Sequence, residues 1–223
     1  MIKMFGLDYT YYDHPNMYSL VLYSGWCNLK CYGCHNRQLA GWLYKTADKE
    51  SKQDIKITDY TTPLCDEDIR LAIQNEMIDM VILCGWEFLI HPMDQVKETI
   101  LEIKKLNPKV LVRVDTNGTF PEKVKELAEW GEIDWFAIDI KWPYWNDLYY
   151  SQIKDVVWIP VETAHRFYPK MVESLEYARV LPYTIYRTVV YPNVQDDAYF
   201  GEIKSYVSSK LKKPHYFSNF VNL

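Results

Sequence analysis

The chain has 223 residues, of which 48% are hydrophobic and 25% are charged. This is the composition of a folded protein, and it excludes disordered and collagen-like chains. Lys and Arg total 25 against 30 Asp and Glu. The resulting net charge of −5 disfavours a nucleic-acid-binding module.

The five cysteines are too few and too unevenly placed for a disulfide framework, which favours a reducing compartment such as the cytoplasm. The first residues carry no secretory signal pattern, and no apolar run reaches the roughly 18 residues of a membrane span. We therefore expect a cytoplasmic protein that binds neither a membrane nor a nucleic acid.

Continuous apolar or β-branched runs predict strands that are buried on both faces. These runs cover residues 19–23, 80–83, 110–114, 135–140 and 184–190, with a weaker one near 216–217. Between them, apolar residues at helical spacing predict helices. The residues with this spacing are Ile69, Ala72 and Ile73; Val96, Ile100 and Ile103; Val124, Leu127 and Ala128; Met171, Leu175 and Ala178; and Phe200, Ile203, Val207 and Leu211.

The alternation of strands and helices predicts an α/β fold with a parallel sheet and right-handed crossovers. Pro121 and Gly131 are typical of the first residue and the C-cap of a helix. The polar segment from about Ala47 to Asp59 is predicted to be a loop. No linker or repeat interrupts the pattern, so residues 1–223 are expected to form a single domain. In such folds the chemistry lies at the carboxyl ends of the strands.

Three cysteines lie close together in the loop that follows the first predicted strand, at about residues 24–36. Cys27, Cys31 and Cys34 have the spacing C-x3-C-x2-C. Thiolates at this spacing bind iron–sulfur clusters or zinc. Three ligands leave one iron of a cubane open to a substrate, whereas zinc needs a fourth ligand, for which His35 or Cys65 is a candidate.

The cysteine spacing resembles that of the radical S-adenosylmethionine (SAM) superfamily. The longer string over residues 27–36, Cys-Asn-Leu-Lys-Cys-Tyr-Gly-Cys-His-Asn, is similar to the activating proteins of anaerobic ribonucleotide reductase and of pyruvate formate-lyase. This resemblance implies a partial (β/α)6 TIM-like barrel. It also implies a [4Fe-4S] cluster held by Cys27, Cys31 and Cys34.

The resemblance continues at the second predicted strand. Gly85 and Glu87 match the family's Gly-Gly-Glu-Pro motif, while Trp86 and Phe88 stand in its two other positions. In the family this motif holds the amino group of SAM through backbone carbonyls and the Glu. Gly85 and Glu87 are therefore implied to bind this cofactor.

Three later strand ends also match the family. Asp115 and Thr116 belong to an Asp-Thr-Asn-Gly sequence, which in the family lies beside bound SAM. Asp139 and Lys141 form an Asp-x-Lys motif. The resemblance implies a monovalent cation near the two Asp residues. It implies that Lys141 and Arg187 contact the SAM carboxylate, whereas Arg113, a second cation in an apolar strand, has no assigned role.

The implied activity is reductive cleavage of SAM and formation of a glycyl radical on a partner enzyme, with no catalytic residue beyond the cofactor ligands. The expected partner is an anaerobic ribonucleotide reductase, and the electron donor is a flavodoxin or ferredoxin. The aromatic residues Trp142, Tyr144 and Trp145 could form a docking rim, although loop packing is favoured. Cys65 and Cys84 are given no chemistry, so the chain has cysteines for one cluster.

Two alternatives remain open. A radical SAM enzyme of the 7-carboxy-7-deazaguanine synthase type would act on a small molecule, but such enzymes often have Asp-Thr where this chain has His35 and Asn36. A zinc-binding interaction module would use the same thiols without redox chemistry.

Overall fold

The computed structural model of the chain describes residues 1–14, 16–31, 34, 63–149, 156–157, 161–191 and 195–219. The strands are β1 (Met4–Thr10), β2 (Ser19–Ser24), β3 (Met80–Gly85), β4 (Leu111–Thr116), β5 (Trp135–Asp139), β6 (Ile185–Val190) and β7 (His215–Asn219). The α-helices are α1 (Asp66–Ile73), α2 (Met93–Leu106), α3 (Pro121–Trp130), α4 (Val161–Ala178) and α5 (Asp197–Tyr206). The predicted loop from Ala47 to Asp59 and the residues His35 and Asn36 lie outside the described residues.

The predicted α/β fold is confirmed, and most neighbouring strands of the described residues pair in parallel. The residues form two compact units: Met1–Cys27 with His35–Val112, and Asn28–Cys34 with Arg113–Leu223. The prediction of a single domain stays a prediction.

In the first unit, β2 pairs with β3 in parallel, as the sequence predicts. Strand β1 was not predicted, and it pairs with β2 in the antiparallel direction. Only Met4 and Gly6 of its seven residues are buried. Because β1 lacks the apolar run of a strand buried on both faces, its sequence gives a weak signal. The expectation of a purely parallel sheet is therefore wrong at this strand.

In the second unit, β4, β5, β6 and β7 form parallel neighbouring pairs. The weak run near residues 216–217 is confirmed as β7. Helix α3 begins at Pro121, and its C-cap is Gly131, which has a φ of 84°, a left-handed conformation that suits glycine. Helix α5 begins after Asp196, whose carboxylate accepts a hydrogen bond from the N–H of Tyr199 at 2.8 Å.

Many of the core residues lie in the predicted apolar runs. In the first unit, Leu20 and Leu22 of β2 and Leu83 of β3 are fully buried. In the second unit, Phe136 and Ile138 of β5 are fully buried. Among the described residues, no helix combines the length and the apolar character needed to cross a membrane.

Candidate cofactor site

The loop that contains the three cysteines follows β2, and one of its first residues has a left-handed backbone conformation. Trp26 has a φ of 77°, a conformation that is uncommon for a bulky side chain and often occurs at functional sites. Cys27 follows in the first unit, whereas Cys31 and Cys34 belong to the second. All three thiols are half-buried and form no disulfide.

Cys31 and Cys34 are joined by a turn in the second unit, since the N–H of Cys34 donates to the carbonyl of Cys31 at 3.3 Å. Partly accessible thiols on one loop are the donor type that iron–sulfur clusters and zinc take, so these residues fit either group. Among the described residues, no three His, Cys, Asp or Glu side chains are gathered as a metal site. The assignment of the cysteines as ligands stays a prediction.

In the first unit, the two matched residues of the glycine motif lie at the end of β3. Gly85 has a φ of +114°, and a Cβ atom there would lie 2.3 Å from the carbonyl oxygen of Ser24. Only glycine fits this close approach of backbone to backbone. Trp86, in the position of the family's second glycine, does not have a positive φ.

Glu87 is fully buried. Its Oε1 accepts a hydrogen bond from the N–H of Leu89 at 3.1 Å, which caps the short 3-10 helix Phe88–Ile90. Its own N–H donates to the carbonyl of Trp26 at 3.1 Å. The carboxylate is thus fixed by the local backbone, next to the residue that precedes the cysteine loop.

In the second unit, the charged side chains of β4, β5 and β6 form a continuous network. Asp115 receives the guanidinium of Arg113 in a bidentate pair, with Nε to Oδ1 at 2.7 Å and Nη2 to Oδ2 at 3.2 Å. Arg187 Nη1 donates to Oδ2 of the same Asp at 2.8 Å. Charge-assisted bidentate pairs of this kind hold both partners in one orientation.

The network continues to the end of β5. Asp139 accepts a hydrogen bond from Arg187 Nε at 3.0 Å and from Lys141 Nζ at 3.1 Å. Asp139 and Arg187 are register partners of two parallel strands, which explains why their side chains meet. Arg113 is 1% exposed and Lys141 is 12% exposed, while Asp139 and Arg187 are each 28% exposed.

The protonation states follow from this geometry. Burial by itself would raise the pKa of Asp139, but Arg187 and Lys141 outweigh it and lower the pKa from 3.8 to about 2. Burial would lower the pKa of Lys141, but the charges of Asp139 and Cys31 outweigh it and hold the pKa well above its usual value. Both groups are therefore charged at neutral pH.

Cys31 lies within electrostatic range of this network. Its thiolate charge is one of the causes that raise the pKa of Lys141, after burial and Asp139. Burial is the largest cause that raises the pKa of Tyr191 to about 12, and both Cys31 and Cys34 contribute to that shift. The cation at the end of the network thus interacts electrostatically with Cys31, one of the predicted cluster ligands.

A second set of hydrogen bonds holds the cysteine loop itself. Asn28 Nδ2 donates to Thr119 Oγ1 at 2.8 Å, and Asn117 Nδ2 donates to Asn28 Oδ1 at 3.0 Å. Thr119 Oγ1 donates to Asn117 Oδ1 at 2.7 Å, which closes the triangle. The loop between Cys27 and Cys31 is therefore tied to the turn after β4.

Two tyrosines fix the backbone at Lys141. The hydroxyl of Tyr144 accepts from the N–H of Lys141 at 2.8 Å and donates to the carbonyl of Asp139 at 3.0 Å. The hydroxyl of Tyr199 donates to the carbonyl of Lys141. Trp142 and Tyr144 are buried, so the loop packing that the sequence favoured for them is confirmed.

The structure brings together Asp115, Asp139, Lys141 and Arg187, four of the predicted cofactor-binding residues. Thr116 is buried, and its hydroxyl accepts from the N–H of Gly118 at 3.1 Å. The family resemblance implies no role for Arg113, although its i, i+2 spacing to Asp115 on one strand places both side chains on the same face. No local signal pointed to the contacts of Asn28, whose partners lie about 90 residues away.

The family described as the radical SAM superfamily matches residues 21–199. A protein of Methanocaldococcus jannaschii, provisionally named a glycyl-radical enzyme activating enzyme, is 28% identical over 137 residues, which are 60% of this chain and 48% of that protein. The chain thus spans about half the length of this relative.

A solved structure, coproporphyrinogen III oxidase of Escherichia coli, a radical SAM enzyme, is 12% identical to this chain with a TM-score of 0.47. The match covers 66% of this chain and 32% of the oxidase.

Proposed function

This chain belongs to the radical SAM superfamily, and from that premise we propose that it is an activating enzyme that generates a glycyl radical on a partner protein. The partner we propose is an anaerobic ribonucleotide reductase. The proposal includes a cytoplasmic location and a flavodoxin or ferredoxin as electron donor. It is supported by the string of residues 27–36 and by the relative that carries an activating-enzyme name.

The observation that carries the proposal is the charged network in the second unit. Three cations, Arg113, Lys141 and Arg187, face two carboxylates. The excess positive charge is suited to bind a carboxylate such as that of SAM, because a charge-assisted hydrogen bond is strong where water is partly excluded. Its position within electrostatic range of Cys31 agrees with a cosubstrate that also reaches the cluster.

Each site residue has a proposed role. Cys27, Cys31 and Cys34 hold a [4Fe-4S] cluster, and Gly85 with Glu87 orients the amino group of SAM. Lys141 and Arg187 bind the SAM carboxylate, and Asp139 holds these two cations in place. Asp115 and Thr116 shape the turn beside the cosubstrate.

A [4Fe-4S] cluster held by Cys27, Cys31 and Cys34 would supply one electron from the donor for cleavage of the sulfur–C5′ bond of SAM, and the products would be methionine, 5′-deoxyadenosine and a glycyl radical on the partner. The chain itself binds and orients SAM, and its buried side chains keep water from the reacting atoms.

The test is anaerobic reconstitution of the protein with iron, sulfide and SAM, followed by incubation with a candidate reductase and a reductant. We expect a glycyl radical signal in electron paramagnetic resonance, together with 5′-deoxyadenosine. Cys31→Ala is expected to abolish both, with Cys65→Ala as the matched control that keeps them. Cosubstrate cleavage without a glycyl radical would instead favour a small-molecule substrate, and stoichiometric zinc without iron would favour an interaction module.

A further inference from the structure

The carboxylate of Asp115 is already paired with a cation of the chain itself. Arg113 is the neighbouring inward residue of the same strand, is 1% exposed, and engages both oxygens of Asp115. A buried guanidinium is stable only when its charge is compensated, so this pair is a fixed part of the second unit.

All four carboxylate oxygens of the network accept hydrogen bonds from cationic groups. At Asp115, Oδ1 accepts from Arg113, and Oδ2 accepts from both Arg113 and Arg187. At Asp139, Oδ1 accepts from Arg187 and Oδ2 accepts from Lys141. Both carboxylates thus have charged partners within the chain.

A sodium or potassium ion at these two carboxylates would meet strong repulsion. The network already holds three positive charges against two negative ones. An added cation would have to displace a guanidinium from the carboxylate oxygens and so break up a buried, hydrogen-bonded charge pair, which is strongly unfavourable. Asp115 and Asp139 therefore do not fit the monovalent cation that the family resemblance implies.

We propose that the guanidinium of Arg113 takes the place of that monovalent cation, so that SAM binds to this chain equally well with or without sodium or potassium. This inference rests on the proposed function in naming SAM as the ligand. Arg113, Asp115, Asp139, Lys141 and Arg187 all lie in the second unit. Arg113 acts as a positioning residue, because it holds Asp115, which in turn orients Arg187.

The first experiment measures SAM affinity by isothermal titration calorimetry on the anaerobically reconstituted protein. Buffers contain potassium, sodium or choline chloride at one ionic strength. We expect the dissociation constants for SAM in the three buffers to agree within about twofold. A bound cation that contributed about 1.4 kcal/mol to SAM binding would already change the dissociation constant tenfold. Affinity at least about tenfold higher in potassium or sodium would overturn the inference.

A direct cation measurement separates this inference from the proposed function. Thallium-205 NMR of the same reconstituted protein reports a bound monovalent cation whether or not SAM binds. We expect no saturable binding, and saturable binding that is lost in Asp115→Asn would overturn the inference. Failure of SAM to bind in every buffer would overturn the proposed function, while the thallium result would still decide the role of Arg113.

Substitutions of Arg113 sharpen the test. Arg113→Ala removes the cation, and we expect saturable thallium binding and SAM affinity that is higher in potassium than in choline. Arg113→Lys keeps a charge and is expected to remain independent of the salt. Arg179→Ala, which breaks an exposed pair with Glu176, is the matched control. Salt-independent SAM binding by a folded Arg113→Ala variant would overturn the inference, and the wild-type measurements decide it if that variant does not fold.

Discussion

Lys141 is held at the end of the charged network by a carboxylate and by two tyrosine hydroxyls. Replacing it with Met removes the ammonium group but keeps a side chain of similar length. We expect Lys141→Met to weaken SAM binding at least about tenfold, because a hydrogen bond to a charged group contributes about 1.5–3 kcal/mol. Calorimetry measures the affinity, and the iron content should stay unchanged.

The control for that substitution is Lys125→Met. Lys125 lies on the exposed face of α3, at 3.9 Å from Glu129, and an exposed pair of this kind contributes little to stability. Equal SAM affinity in Lys141→Met and Lys125→Met would refute the role of Lys141 as a carboxylate anchor.

Asn28 is the second residue whose role can be tested alone. Its side chain joins the cysteine loop to Thr119 and Asn117, so Asn28→Ala removes two hydrogen bonds. At about 1 kcal/mol each, their loss should accelerate the release of iron to a chelator several-fold, followed by anaerobic absorbance. Lys30→Ala, an exposed residue of the same loop, is the control. Equal rates in the two variants would show that the triangle does not hold the cluster loop.

At the scale of the elements, the ends of β2 and β3 approach too closely for a side chain at Gly85. Gly85→Ala would place its Cβ 2.3 Å from the Ser24 carbonyl oxygen and 2.6 Å from the Ser24 nitrogen. Gly131→Ala has a similarly positive φ of +84° but no atom within 4 Å of the new Cβ. The two variants therefore separate the steric clash from the conformational strain.

We expect Gly131→Ala to lower the free energy of unfolding by about 1–2 kcal/mol, which is the cost of the left-handed conformation. Gly85→Ala should lower it by clearly more, because two strands must also move apart. Urea unfolding measures both. A loss in Gly85→Ala no larger than that in Gly131→Ala would contradict the tight contact between β2 and β3.

Much of the element order could be predicted from the sequence, because β2 to β6 are apolar runs of the kind that is buried on both faces. The charged side chains could also be assigned to strand ends. The pairing of Arg113 with Asp115 agrees with their i, i+2 spacing on one strand. The contact of Arg187 with Asp115 and the triangle around Asn28 could not be predicted, since they depend on how separate segments pack. Strand β1 was missed because its seven residues include Gly6 and Asp8, and Met4 has the only fully buried side chain among them.

At the scale of the whole molecule, His215 links stability to pH. It lies 2.9 Å from Thr188 Oγ1, and burial lowers its pKa from 6.5 to about 4. The unfolded chain therefore binds this proton more readily than the folded chain does. The stability that neutral His215 contributes is present above pH 6.5 and is lost as the pH falls toward 4.

We expect the melting temperature to fall between pH 6.5 and pH 4, and His215→Gln to reduce that fall. The lowered pKa of Asp139 changes the stability of the fold only between about pH 3.8 and pH 2. This range does not overlap the range from pH 6.5 to pH 4 in which His215 acts. His165→Gln, at an exposed position of α4, should keep the wild-type slope. If the melting temperature of His215→Gln falls with pH as steeply as that of the wild type, other groups cause the acid sensitivity.

The two tyrosine hydroxyls at Lys141 have a consequence for the exchange of backbone hydrogens. The peptide groups of Lys141 lie outside every helix and strand, where amide hydrogens normally exchange rapidly with solvent. Here Tyr144 accepts the amide hydrogen and is itself buried. The Lys141 amide should therefore exchange as slowly as the amides of β5, so a single protected loop amide reports whether this end of the network is intact.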